Sequence, residues 1–304
     1  MTKLYLITGF LGAGKTTFLH KFARLFPDKK IALIINEFGK SGVDGALLKD
    51  LDAALTEIDN GSIFCACRIE QFEDAVHSIL EKEPDLIFVE ASGLADPTAV
   101  RSIFKPELFP SLEYAGAICL VDAVRFHKVY QTARVCRMQL AISDMVLINK
   151  TDIADREKID DIRQIVIAQK PCRPVYETVY GDFKREWLDG IGKNDAEHEM
   201  AAAHTKDITL QKRSLIISGF DLASLTSFLK MIAEDTYRIK GFVELDGNMY
   251  AVDCVGPLVE VRPYLGETAN PGTLTVLYGQ GLPAVKSIKE ARSWFENASV
   301  EILQ

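Results

Sequence analysis

Residues 9–16 read GFLGAGKT, which fits the pattern G-x-x-x-x-G-K-[ST] of a phosphate-binding loop. The loop directly follows an apolar run, residues 3–8, and precedes a segment with apolar residues at helical spacing, residues 16–26. Glycines permit backbone angles that turn successive N–H groups inward, and the start of the following helix adds positive charge. A strand, this loop and a helix in that order predict a P-loop that binds the phosphates of a nucleotide.

The residue types of this loop predict individual roles. Lys15 places a point charge on the β- and γ-phosphates, which makes it a candidate catalytic residue as well. The Thr16 hydroxyl is a hard oxygen ligand for Mg²⁺, and Thr17 can donate to the α-phosphate. The predicted nucleotide contacts of the loop are Gly9, Gly12, Ala13, Gly14, Lys15, Thr16 and Thr17.

The order of apolar and polar segments predicts two domains. Strands alternate with amphipathic helices in the first part of the chain, which indicates an α/β P-loop NTPase domain with a mostly parallel sheet over residues 1–182. Its predicted strands are Lys3–Thr8, Ile31–Asn36, Leu86–Glu90, Gly116–Asp122, Met145–Asn149 and Pro174–Glu177. A polar, turn-rich linker is predicted over residues 183–208. Strands joined by turns such as Asp246-Gly247-Asn248 then predict a smaller α+β domain over residues 209–304.

The composition excludes several classes of partner. The chain has 304 residues, a net charge of −8 and no dense Lys/Arg tract, so nucleic acid is not an expected partner. No apolar run approaches the ~20 residues that span a bilayer, which predicts a cytoplasmic protein without a membrane segment. In that compartment the six cysteines are expected to be thiols or metal ligands rather than disulfides.

A second nucleotide signal lies at residues 86–93, where an apolar strand ends in Glu90. In P-loop proteins, a carboxylate at the end of such a strand holds Mg²⁺ directly or through its bound water. Gly93, three residues later, can bring its N–H to the γ-phosphate without a side-chain clash. Glu90 and Gly93 are therefore predicted to sense the γ-phosphate and its metal.

A third signal, residues 149–152 (NKTD), predicts that the base is guanine. The Asp152 carboxylate can accept from both the ring N1–H and the exocyclic amine of guanine, whereas adenine presents a bare acceptor there. In a buried site that difference is worth roughly 10⁴-fold in affinity. The Lys150 stem can lie along the base, and Asn149 can tie this loop to the P-loop. The alternative, an ATP-using P-loop protein, predicts equal affinity for ATP and GTP.

Together these motifs resemble the CobW-like GTPases, relatives of the UreG and HypB metallochaperones. Residues 36–39 (NEFG), residues 42–44 (GVD) and the run Glu90–Pro97 add to the resemblance. So do residues 240–242 (KGF), which look like the start of a strand in the family's C-terminal domain. Glu90 fits as well, because this family has Glu where Asp is commoner. The resemblance implies that GTP hydrolysis is coupled to metal delivery, or to maturation of a metallocentre or cobalamin enzyme, in a client metalloprotein.

The chain departs from the family at its typical metal motif, C-x-C-C after Asn-Gly. Here residues 60–67 read NGSIFCAC, so Ser62 and Phe64 occupy two of the three cysteine positions. Cys65 and Cys67 remain candidate ligands for Zn²⁺ or Co²⁺, completed by Glu37 or by a residue of a partner. The alternative is that both are ordinary thiols. Two further histidines, His198 and His204, are interpreted as incidental residues of a polar linker.

Two functions stay open at this point. The first is a metallochaperone that carries the ion itself. The second is a GTP-dependent conformational chaperone, or reactivator, of a cobalamin or other metalloenzyme, which carries no transition metal. In both, GTP and Mg²⁺ draw Glu37 and Asp44 toward the γ-phosphate, where they are candidates to position the attacking water, and hydrolysis to GDP releases them. We expect slow turnover that a partner protein or a homodimer accelerates.

Overall fold

Seven strands form the sheet of the N-terminal part of the computed structural model, and their pairings are parallel. The strands are β1 (Thr2–Thr8), β2 (Ile31–Ile35), β3 (Ala53–Glu57), β4 (Leu86–Glu90), β5 (Leu112–Asp122), β6 (Met145–Asn149) and β7 (Val175–Glu177). They lie in the order β3-β2-β4-β1-β5-β6-β7. Because parallel strands end at the same edge of a sheet, the residues that follow β1, β4, β5 and β6 lie close together.

The chain divides into two compact units. One comprises Met1–Tyr130 with Arg134–Thr205, and the other comprises Gln131–Ala133 with Lys206–Gln304. The structure describes residues 1–35, 53–57, 69–94, 104, 108–191, 210–266 and 271–303. Within those ranges no helix is both long and apolar enough to cross a bilayer.

Helices cover both faces of the parallel sheet. The helices of this unit are α1 (Lys15–Ala23), α2 (Ile69–Leu80), α3 (Phe126–Thr132), α4 (Arg134–Ile142) and α5 (Arg156–Gln169), with a 3₁₀ helix at Arg185–Gly190. On one face Leu4 and Leu6 of β1 pack with Phe72 of α2. On the other face Ile7 packs with Phe22 of α1. Successive side chains of a strand point to opposite faces, so strands buried on both sides are apolar throughout.

The predicted α/β fold is confirmed, and two local features differ from the sequence prediction. Strand β3 was not predicted, since its five residues (AALTE) have little strand propensity; it lies at the edge of the sheet and pairs with β2. The start of the predicted linker also packs into the first unit. Phe183 is buried, with its ring 5.0 Å from that of Phe22, and Trp187 stacks on Tyr176.

Six strands form an antiparallel sheet in the second unit. They are β8 (Leu210–Ser218), β9 (Arg238–Leu245), β10 (Asn248–Val255), β11 (Leu258–Pro263), β12 (Thr273–Gly279) and β13 (Ser299–Leu303), in the order β11-β10-β9-β12-β8-β13. Helices α6 (Leu222–Ala233) and α7 (Ala284–Arg292) pack against this sheet in one apolar cluster. The turn at Asp246 and Gly247 joins β9 to β10, with φ of 50° and 76°. Strand β13 was not predicted.

A buried arginine ties two helices of the first unit together. The Arg173 side chain is 4% exposed and donates to the Leu140 carbonyl, to the Ser143 hydroxyl at 3.0 Å and to the Val166 carbonyl at 2.7 Å. Leu140 lies in the last turn of α4 and Val166 in the last turn of α5, where helix carbonyls have no partner within the helix. Burial lowers the pKa of the Arg173 guanidinium, but the group stays positively charged at neutral pH.

We predict that Arg173→Met lowers the free energy of unfolding of the first unit by about 3 kcal/mol, since three buried acceptors each lose a hydrogen bond worth about 1 kcal/mol. Urea denaturation followed by Trp187 fluorescence, in a Trp294→Phe background, measures the change. Lys158→Met is the matched control, because Lys158 is half exposed and pairs with Asp155 on the surface. It is expected to change stability by less than about 0.5 kcal/mol. An Arg173→Met effect as small as the control's would contradict the prediction.

Candidate nucleotide-binding site

The loop between β1 and α1 has a backbone that only glycine can adopt at two places. At Gly9, φ is +139°, and a Cβ atom would lie 2.3 Å from the Leu120 carbonyl oxygen of β5. At Gly14, φ is +95°, and a Cβ atom would lie 2.5 Å from Nδ2 of Asn149. The loop therefore packs tightly against β5 and against the end of β6.

The start of helix α1 forms the phosphate-facing part of this loop. Helix α1 begins at Lys15, its first turn contains no acidic residue, and its N-cap is Gly14, which has no side chain. The positive end of the helix is thus not neutralised by its own residues. The Lys15 side chain is 8% exposed, and its Nζ donates to the Phe10 carbonyl at 3.5 Å, across the loop. The Ala13 N–H donates to the same carbonyl at 3.2 Å.

Thr16 and Glu90 meet beside the loop, as the sequence predicted. The Thr16 hydroxyl donates to Oε1 of Glu90 at 3.1 Å, and Glu90 is 6% exposed. These two hard oxygen donors, one from α1 and one from the end of β4, fit a Mg²⁺ ion. Gly93 lies against the P-loop, since a Cβ atom there would be 2.7 Å from the Leu11 nitrogen. Thr17 is exposed.

Asn149 connects the predicted base-reading loop to the P-loop. Its side chain is 2% exposed; Nδ2 donates to the Ala13 carbonyl at 2.9 Å, and Oδ1 accepts from the Gly181 N–H at 3.0 Å. Lys150 has φ of +64°, a left-handed conformation that is uncommon for lysine. Asp152 follows it at the surface. The structure therefore brings together the predicted site residues from β1, α1, β4 and β6.

Three further polar side chains lie in this site that the sequence analysis did not single out. Asp122, the last residue of β5, accepts at Oδ2 from the Lys150 Nζ at 2.6 Å. Arg125 donates to the Leu11 carbonyl at 3.5 Å, and Gln139 of α4 donates to the Gly93 carbonyl at 3.2 Å. A carboxylate at a strand end was the signal that could have identified Asp122. No sequence pattern pointed to Arg125 or Gln139.

The predicted transition-metal ligands and water-positioning residues lie outside the described residues. These are Glu37, Asp44, Cys65 and Cys67, and the same holds for His198 and His204. Among the described cysteines, Cys119, Cys136 and Cys254 are buried thiols and Cys172 is an exposed thiol. Burial raises the pKa of Cys119 and of Cys254 to about 12, so both stay protonated at neutral pH and are poor metal ligands. In the described part of the chain, no group of three or more His, Cys, Asp or Glu residues is placed to hold a metal ion.

Comparison with known proteins identifies the family. The family described as CobW/HypB/UreG, nucleotide-binding domain, matches residues 3–177. The zinc chaperone YjiA of Escherichia coli is 34% identical over 85% of this chain and 90% of its own length. The zinc chaperone CobW of a Sinorhizobium species is 30% identical over 80% of this chain and 81% of its own.

Among solved structures, the Zn(II)-bound YjiA GTPase from E. coli covers 97% of this chain and 99% of its own, with 20% identity and a TM-score of 0.47. The family assignment depends on the sequence matches rather than on that similarity. They confirm the resemblance that the three motifs predicted. The chain belongs to the CobW/HypB/UreG family of P-loop proteins.

Proposed function

We propose that the protein binds GTP with Mg²⁺, hydrolyses it to GDP and phosphate, and couples this cycle to metal delivery or metallocentre assembly in a client metalloprotein. The observation that carries the proposal is the Asn149 carboxamide, which bonds to the Ala13 carbonyl and to the Gly181 N–H. Through it, the phosphate-binding loop and the predicted base-reading loop form one site. A nucleotide is the ligand that needs both at once.

The phosphate side of the site supports GTP hydrolysis. The loop backbone at Gly9, Gly12 and Gly14, with the N-terminus of α1, provides N–H donors for the β-phosphate. Lys15 would leave the Phe10 carbonyl and bind the γ-phosphate, where negative charge develops. Thr16 and Glu90 would hold Mg²⁺, which neutralises phosphate charge when it is bound. Gly93 would donate its N–H to the γ-phosphate.

Turnover is expected to be slow in the isolated protein. Lys15 would supply charge at the phosphates, but a lysine that binds the phosphates does not orient the attacking water. Glu37 and Asp44 remain our candidates for that role. A partner protein or a second copy of the chain would then accelerate hydrolysis.

The proposed client role is supported by the names of the relatives, which include two zinc chaperones of 30% identity or more. In this chain Cys65 and Cys67, with Glu37, are the residues proposed to hold Zn²⁺ or Co²⁺. The ion would be cargo, held in one nucleotide state and released in the other. We further propose that the protein works in the cytoplasm and does not bind nucleic acid, in line with its net charge of −8.

A second function is favoured by one specific observation. Ser62 and Phe64 stand where the family's metal motif has cysteines, which leaves this chain with an incomplete ligand set. The alternative is therefore a GTP-dependent conformational chaperone, or reactivator, of a cobalamin or other metalloenzyme, without an ion of its own.

We predict that Asp152→Ala abolishes the preference for guanine nucleotides. Wild-type protein is expected to bind GTP at least about 100-fold more tightly than ATP, because the carboxylate pairs with two guanine donors and repels adenine N1. In the variant, the two affinities should agree within about 10-fold. Isothermal titration calorimetry with GDP, GTP and ATP measures the change, with Asp155→Ala, at an exposed acid three residues away, as the control. Wild-type protein that binds ATP and GTP equally well would refute the guanine assignment.

We predict that wild-type protein bound to a non-hydrolysable GTP analogue binds Zn²⁺ more tightly than about 1 μM, and that Cys65→Ser/Cys67→Ser loses this binding. Two thiolates supply the soft ligands of the proposed site. Competition with a chromophoric chelator measures the affinity. Cys172→Ser is the control, since Cys172 is the exposed thiol among the described cysteines. If neither nucleotide state of the wild type reaches micromolar affinity, the carrier role is wrong and the conformational chaperone is favoured.

A further inference from the structure

Residues 122–139 run from the end of β5 to Gln139 of α4. They contact three loops: the predicted base-reading loop, the P-loop and the loop that follows β4. Asp122 accepts from Lys150, Arg125 donates to Leu11, and Gln139 donates to Gly93. We propose that this stretch, here called the positioning segment, sets the geometry of the nucleotide site in two separable ways. Asp122 positions Lys150 for the base, and Gln139 positions Gly93 for the γ-phosphate. The inference rests on the proposed binding of GTP.

The Asp122 carboxylate is fixed by backbone contacts that are independent of Lys150. Its side chain is 8% exposed, and Oδ1 accepts from the backbone N–H groups of Val124 at 2.9 Å and Arg125 at 3.2 Å. In the sheet it lies opposite Asn149, next to the base-reading loop. Its other oxygen, Oδ2, accepts from the Lys150 Nζ at 2.6 Å. A carboxylate fixed in this way orients whatever cation it binds.

The contact with Asp122 fixes the Lys150 side chain, which the sequence predicts to lie along the base. Its backbone is left-handed, with φ of +64°, a conformation that lysine seldom adopts. Its side chain is only about one-third exposed, and its Nζ contacts Asp122 at the end of the neighbouring strand β5. The Lys150 stem is thereby placed before a base arrives, so less side-chain freedom is lost on binding. GDP and GTP carry the same base, so both benefit equally.

Gln139 contacts the loop that follows β4, at Gly93. Its side chain is fully buried, and its Nε2 donates to the Gly93 carbonyl at 3.2 Å. Gly93 has no side chain to restrict its backbone, and it lies against Leu11 of the P-loop. Holding the carbonyl fixes the peptide group that follows Gly93, and the bond from the Ala91 N–H to the Ile7 carbonyl fixes the chain before it. Gly93 lies between these two fixed points, so its N–H has little freedom to turn. That direction matters when a γ-phosphate is present and is irrelevant to GDP.

Water does not readily replace the contacts of Arg125 and Gln139, because a mainly apolar cavity lies beneath the P-loop. Its walls include Phe10, Val121, Phe126 and Val129, together with Arg125 and Gln139. Arg125, which is 8% exposed, donates to the Leu11 carbonyl from the same side as Gln139. In such a low-dielectric setting, hydrogen bonds are stronger than in water, and losing a partner is correspondingly costly. The contacts of the positioning segment therefore have measurable consequences for the loops that they hold.

The Asp122 part of the proposal is tested with Asp122→Asn, which keeps the acceptor for the backbone N–H groups but removes the charge that holds Lys150. We expect the affinities for GDP and for a non-hydrolysable GTP analogue to fall by the same factor, about 10-fold. Lys150→Met should reproduce the loss, and the double variant should lose no more than either single variant. Asp155→Asn is the control. Unchanged affinity in Asp122→Asn, or additive losses in the double variant, would overturn this part.

The Gln139 part is tested with Gln139→Met, which keeps the side-chain volume and removes the donor. We expect affinity for the GTP analogue to fall about 5-fold, while affinity for GDP changes less than 2-fold. Gln169→Met, an exposed glutamine on α5, is the control. A merely structural role would lower both affinities together, and that result, or no change in either, would overturn this part.

A wild-type measurement keeps the Gln139 part testable if the variant does not fold. The NMR signals of the Gln139 side-chain amide should shift when the GTP analogue replaces GDP, and identical signals in both states would count against the proposal.

The affinity titrations with guanine and adenine nucleotides separate this inference from the proposed function. Wild-type protein without a guanine preference would overturn both. Wild-type protein that prefers guanine, with an Asp122→Asn variant of undiminished affinity, would overturn the Asp122 part alone.

Discussion

The nucleotide site depends on one buried side chain, the carboxamide of Asn149. It donates to the Ala13 carbonyl and accepts from the Gly181 N–H, so it joins three chain segments that are far apart in sequence. The carboxamide is uncharged and offers both a donor and an acceptor on one short planar head. Because the side chain is 2% exposed, neither hydrogen bond competes with water. These two bonds hold the P-loop and the predicted base-reading loop next to each other.

The parallel sheet makes that arrangement possible. Strands β1, β4, β5 and β6 end at one edge, and each contributes a polar group or a loop to it. Glu90 ends β4, Asp122 ends β5 and Asn149 ends β6. Their side chains reach Thr16, Lys150 and the P-loop, respectively. The fold thus brings the strand ends together, and three strand-terminal residues link the loops that follow them.

The sequence predicted those parts of the molecule whose signal is local. The P-loop and the NKTD motif are each a short continuous run of residues, and the strands between them are recognised by runs of apolar residues. Strand β13 is different, because it forms only by pairing with β8, about eighty positions earlier in the chain. Asp122 is one of 43 acidic residues, and only its position opposite Asn149 in the sheet distinguishes it as a residue of the candidate site. Gln139 looks like any polar residue of an amphipathic helix until α4 is placed beneath Gly93.

The close approach of Gly14 to Asn149 has a consequence for how such chains can diverge. A Cβ atom at position 14 would collide with the very amide nitrogen that bonds to the neighbouring Ala13. A substitution at Gly14 is opposed twice, by this collision and by the φ of +95°, so a smaller residue at position 149 would remove only one of the two obstacles. Two motifs more than a hundred positions apart in the chain thus restrict each other's side chains.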